Sequence, residues 1–160
     1  MEYRIQYPGL QESLLHLKIQ VIQSIDYCKA ILPDHVQTPE DIFYYCKNRV
    51  TYVPDGGNEL FQTAETLLEN NVHNIPGAGD CDCFTILLLA CLAAKGYKNI
   101  GIVLVGRSPK NAVHIYVYVK EGNSTEFLDL TNNSYNYERF YPFKQLIPFK
   151  VTPIKVIFNQ

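Results

Sequence analysis

The chain predicts an α+β fold, with helices in its first half and antiparallel strands in its second. Three observations carry that expectation. Leu10 to Leu32 repeats apolar residues at helical spacing. A long apolar run follows Asp80 and is helical by length. Val113 to Lys120 alternates strictly, and a glycine turn and a second β-rich run come next.

In order, Pro33 ends the first helix. Thr38-Pro39-Glu40-Asp41 has the marks of a helix start: a hydroxyl cap, a proline in the first turn and a carboxylate three residues on. That start opens a second helix, Ile42 to about Val50. Tyr52 to Gly57 is a turn by its proline and glycines. A third helix is expected from Asn58 to Leu68, and His73 to Gly79 is an irregular approach. The apolar helix then runs from Cys81 to Gly96, a residue suited to a helix C-terminus. Ile100 to Val105 is β-branched and strand-like. Val113 to Lys120, the Gly122-Asn123 turn and Thr125 to Thr131 make a hairpin. Tyr135 to Phe149 is aromatic and proline-broken, and Val151 to Phe158 has the composition of a last strand.

With 160 residues, 47% of them apolar and 19% charged, the chain reads as one domain, residues 1–160, with a core of its own. A net charge of −2 supplies no basic field for a nucleic-acid backbone. No apolar run reaches the roughly 18 residues of a membrane span, and Met1 to Pro8 lacks the pattern of a signal peptide. Five cysteines at 28, 46, 81, 83 and 91 suit a reducing compartment better than a disulfide framework. The expected setting is therefore cytoplasmic, with neither nucleic acid nor membrane as partner.

Asp80 is the natural N-cap of the apolar helix. Cys81 then occupies its first position, where the partial charge of the helix end favours a thiolate. Cys81 is equally readable as a small buried hydrophobe. His114 and Asp129 would complete the chemistry, because an imidazole activates a thiol and a carboxylate orients the imidazole. If Gly122-Asn123 is a two-residue turn, Glu121 faces Ser124, Tyr116 faces Asp129 and His114 faces Thr131. His114 and Asp129 then share one face as diagonal neighbours. A slip of one residue would separate them. The ordinary reading of His114 is a satisfied surface group, whereas an Asp within a strand asks for a reason. Cys81 and Cys83 stand about 200° apart on a helix. That weakens a metal site built on Cys81, Cys83, His73 and His114. Cys91 reads as core, and Cys28 and Cys46 show no partner motif.

On these residues the chain resembles the transglutaminase-like superfamily of papain-fold cysteine enzymes, particularly its small microbial and phage-encoded members. The resemblance covers roughly residues 39–131. It rests on Val50 to Asp55, Glu59 to Thr63, Gly79-Asp80-Cys81-Asp82-Cys83-Phe84, Gly96-Tyr97, Val113 to Val117 and Phe127 to Thr131. It implies N-terminal helices with the nucleophile helix packed on an antiparallel sheet, and a triad of Cys81, His114 and Asp129. The activity it implies is that of a peptidase or amidase, a thiol hydrolase working through a thioester on a peptide or protein amide, with no metal or organic cofactor. Two departures stand out: Cys83 occupies a position often acidic in relatives, and there is no tryptophan to wall an acyl tunnel. The second favours hydrolysis over amine transfer. The Cys81 N–H is one natural oxyanion donor, and Gln62, expected in the third helix, is a candidate for the second. The rival readings are a catalytically silent copy of the fold, acting as a binding or virion-associated structural module, and a small thiol-rich metal site.

Overall fold

The computed structural model describes residues 10–54, 61–71 and 73–150. The first helix, α1 (Leu10–Ile31), turns Leu17, Val21, Ser24 and Cys28 inward. The second, α2 (Pro39–Lys47), starts where its cap predicts: the Thr38 hydroxyl accepts from Asp41 N–H, and the Asp41 carboxylate accepts from Thr38 N–H. It ends at Asn48, short of Val50. A short strand, β1 (Thr51–Tyr52), follows.

The third helix, α3 (Ala64–Glu69), differs from expectation. Residues 61–63 are not helical, and the rest of the stretch from Asn58 lies outside the described residues. The boundary has two causes. Thr63 adopts an extended cap whose hydroxyl accepts from Thr66 N–H, and Ser24 Oγ of α1 accepts from Ala64 N–H at 2.9 Å.

The approach to Cys81 is more ordered than its sequence suggests. Strand β2 (Ala78–Gly79) pairs in parallel with β1, through Thr51 N–H to Gly77 O at 3.0 Å and Val53 N–H to Gly79 O at 2.8 Å. Gly77 has φ +82°, and a Cβ there would fall 1.8 Å from Arg49 O. Only glycine permits so close a passage.

Helix α4 (Cys81–Ala94) is the centre of the molecule: every residue from Cys81 to Leu92 is buried. A helix apolar on all sides must be surrounded, and α1, α2, α3 and the sheet surround it. It closes as predicted at Gly96, φ +90°, with Tyr97 N–H reaching back to Leu92 O.

The sheet has the order β5-β4-β3-β6: β3 (Ile100–Gly106), β4 (Ala112–Glu121), β5 (Ser124–Leu128) and β6 (Phe143–Phe149), with each neighbouring pair antiparallel. Its inner face presents Ile100, Ile102, Leu104, Ile115, Val117 and Val119 to the helices. Val103, Val105, Tyr116 and Tyr118 form a second cluster on the outer face with Phe127, Tyr141 and Leu146. Strand β6 lies in the stretch the sequence left unassigned. It is an edge strand, where Pro148 removes no needed ladder donor. The stretch Val151 to Phe158 lies outside the described residues.

Candidate active site

The hairpin register is the one the turn predicts, with Glu121 opposite Ser124 and Val117 opposite Leu128. Gly122 supplies the positive φ, +60°. The pairing stops at Leu128, so Asp129 stands one residue beyond β5 rather than within it. It nonetheless lies on the side of His114: Nε2 of His114 and Oδ2 of Asp129 are 2.7 Å apart. A bulge does occur, in the other ladder. Val105 pairs with His114 and Gly106 with Ala112, which leaves Val113 as the extra residue beside the histidine. Bulges bend a strand and re-aim neighbouring side chains. This one leaves the β4–β5 parity intact.

Asp129 is held by its own turn. Thr131 donates from N–H and Oγ1 to Asp129 Oδ1 at 3.0 and 2.7 Å, Asn132 N–H donates to the Asp129 carbonyl at 2.9 Å, and Asn132 Nδ2 approaches Oδ2 at 3.4 Å. Burial alone would push this carboxyl up. The His114 bond and charge, with the two Thr131 donors, outweigh it and hold the carboxyl below its ordinary value. The sequence reading missed Thr131 and Asn132. An Asp two residues before a Thr, in a strand exit, is the signature of an Asx turn and could have marked them.

The His114 ring sits between Tyr116 and Tyr141, with centroids at 5.6 and 6.3 Å and planes tilted by 32° and 33°. Tyr116 donates its hydroxyl to Glu138 at 2.5 Å, and Glu138 pairs with Lys144 at 2.7 Å. The alternation puts Tyr116 on the face of His114, whereas Tyr141, just before β6, carries no such sign in the sequence.

Asp80 caps α4 as expected, accepting from Asp82 N–H at 3.1 Å. Cys81 is only 5% exposed, and its thiol is set against the backbone N–H of Ile115, the residue after His114. The expectation that the helix end favours a thiolate is reversed here. Burial raises the Cys81 thiol well above its ordinary value, the Asp82 and Asp80 charges add to that, and the Ile115 N–H offsets only part.

Gln62 is buried in the irregular segment before α3, not in a helix, and its Nε2 donates to Cys83 Sγ at 3.4 Å. Its Oε1 is buried with no hydrogen-bond partner among the described residues. Cys83 and Cys81 thus have different surroundings, as the helical spacing requires. His73 lies on a turn with its N–H on Asn71 Oδ1. The three cysteines without a motif converge in the core. Cys46 Sγ is 3.9 Å from Cys91 Sγ, and Cys28 bonds the same Cys91, joining α1, α2 and α4.

Together these elements define a papain/transglutaminase-like α+β fold, with a cysteine-headed helix packed on an antiparallel sheet. Among solved structures, the chain is similar to calcium-bound LapG of Legionella pneumophila, with TM-score 0.51 and 18% identity over 81% of this chain and 71% of that one. A candidate cysteine protease from Cytophaga hutchinsonii gives TM-score 0.45 and 16% identity over 80% of this chain and 46% of that one, too loose a match to add weight. No family model and no curated protein matches the chain. Among the described residues, no helix is long and apolar enough to cross a membrane.

Proposed function

We propose that the protein is a cysteine-dependent peptidase or amidase with Cys81 as nucleophile, His114 as general base and acid, and Asp129 as orienter. The observation that carries the reading is the 2.7 Å bond between His114 and a nearly fully buried Asp129, next to the thiol that heads α4. A carboxylate on Nε2 fixes the tautomer with Nε2–H donating to Asp129 and Nδ1 unprotonated. Nδ1 then takes the thiol proton as Sγ attacks a carbonyl carbon. The tetrahedral oxyanion collapses to a thioester, the C–N bond breaks, and the amine leaves with the proton returned by His114. Water, deprotonated by the same imidazole, hydrolyses the thioester and frees Sγ.

The N–H of Cys81 has no intrahelical acceptor, being first in α4, and serves as one oxyanion donor. Gln62 would have to turn its amide away from Cys83 to serve as the second. Burial raises the Cys81 thiol, so in this reading proton transfer to His114 accompanies the attack of Sγ rather than preceding it.

The test is cleavage of a proteome-derived peptide library, read by mass spectrometry, by the wild type, Cys81→Ala and His114→Ala. Cleavage abolished by either substitution is expected. Cleavage unchanged in Cys81→Ala, or none by the wild type, overturns the reading.

A further inference from the structure

The turn that holds Asp129 has a second side. Thr131, Asn132, Asn133, Ser134, Tyr137 and Arg139 line an open surface cavity of about 290 Å³ beside the Asp129 turn. Its lining holds one cation, three hydroxyls and two amides, and no carboxylate. Arg139 forms no ion pair with any carboxylate among the described residues. Glu138, next to it in sequence, is committed to Lys144 and Tyr116. The guanidinium is held over the cavity by a 3.4 Å bond to Thr131 O and by the Tyr141 hydroxyl. Asp129 keeps its negative charge however many donors its oxygens engage, so for an anion to bind, the Arg139 guanidinium has to outweigh it.

A donor-rich cavity with a guanidinium that pairs with no carboxylate among the described residues is the complement of a carboxylate, which arginine binds through two parallel N–H···O bonds. Asn132, 4% exposed, fixes one wall of the site: its Nδ2 is engaged by Asp129 and Tyr137 O. A carboxylate carried on a peptide supplies the anion that pairs with Arg139.

We propose that this cavity is a carboxylate-binding subsite, which makes peptides with an acidic residue near the scissile bond the preferred substrates. The substrate assignment rests on the peptidase reading. The binding does not, and it can be measured without turnover.

The full chain would be titrated with N-acetyl-aspartyl amide, N-acetyl-asparaginyl amide, and acetyl-glycyl-glycine with a free C-terminus, and read by NMR at the Arg139 side chain and the amides of residues 131–139. The expected result is a saturable shift with the aspartyl compound and none with its asparaginyl isostere. Arg139→Gln should weaken binding roughly tenfold or more, the usual loss for a charge-assisted bond. A response to acetyl-glycyl-glycine instead would assign the cavity to a C-terminal carboxylate. That keeps a carboxylate site but overturns the preference for an internal acidic residue. Equal response to the aspartyl and asparaginyl compounds, no response at residues 131–139, or full binding by Arg139→Gln overturns the subsite. Binding by a protein that cleaves no peptide would instead sink the peptidase reading and leave the subsite standing.

Discussion

His114 and Asp129 come within 2.7 Å although only His114 lies in a paired strand. Two local features create that contact, the Gly122-Asn123 turn that sets the parity of the hairpin and the Thr131 bonds that fold the chain back after Leu128. The contact depends on both. Replacing Asp129 by Ala should leave the fold intact, since the lost group is at the end of a hairpin, yet free the imidazole to rotate. Acylation of Cys81 by an activated ester should then slow by roughly 10²-fold or more, in the range for losing an orienting carboxylate. Unchanged acylation with circular dichroism like that of the wild type would remove Asp129 from the mechanism.

The same carboxylate makes stability depend on acid. Its folded value is depressed, so below its unfolded value, near 3.9, the unfolded state binds the proton more readily than the folded one. The contribution is complete above the unfolded value and disappears as pH falls through the folded value. The melting temperature of wild type relative to Asp129→Asn should therefore be highest at pH 5–7 and converge as pH drops to about 3. A difference that is constant over that range would mean that His114 and Thr131 do not stabilise the ionised form.

Gly77→Ala should be among the most damaging of single-methyl changes. The left-handed φ costs an alanine about 1 kcal/mol, and the added Cβ would sit 1.8 Å from Arg49 O, which forces β1 and β2 apart. The combined loss is expected at about 3 kcal/mol or more, a strained backbone plus a broken ladder. Because β2 leads straight into Asp80, the loss should extend to Cys81 acylation. Gly96→Ala is the control: its φ of +90° is also unfavourable, but a Cβ there meets nothing within 4 Å. Thermal unfolding of the two variants checks the ordering.

What the sequence disclosed was whatever is set by local chemistry. The Thr38 cap, the Asp80 cap, the Gly96 stop and the hairpin parity all lie within a few residues of their cause. What it hid was set by partners distant in sequence. Strand β6 pairs with β3 some forty residues away, and Pro148 disguised it. The two-residue strands β1 and β2 are too short to show any period. The start of α3 depends on Ser24 of α1. Of the proposed triad, the His114–Asp129 contact was legible from the hairpin parity, but the surroundings of the Cys81 thiol were not. The helix end and the flanking aspartates are local, whereas burial under the sheet, the largest influence on the thiol, is a property of the assembled core.

That burial sets the last expectation, for the five thiols together. All are buried and none is in a disulfide, and only Cys81 reaches 5% exposure; the others are at 0 or 1%. Cys28 is raised by its bond to Cys91 and by burial. In Cys91 the bond from Cys28 works in the lowering direction, but the Cys46 bond and burial prevail. Thiols of this kind are inert, because the thiolate is the reacting species. Iodoacetamide at neutral pH should therefore label the native protein slowly, and Cys81 first. The rate at Cys81 should keep rising above the ordinary thiol range near 8.5, as its raised value requires. Unfolding in denaturant should bring all five to a common rate. If the proposed triad holds, His114→Ala should slow Cys81 and leave the other four unchanged, since Cys81 is the thiol whose proton the imidazole would take. Mass-spectrometric mapping of the labelled peptides over a pH series reads every arm. Labelling of Cys28, Cys46 or Cys91 ahead of Cys81 would contradict the burial that organises this core, and equal labelling of Cys81 in His114→Ala would detach the histidine from the thiol.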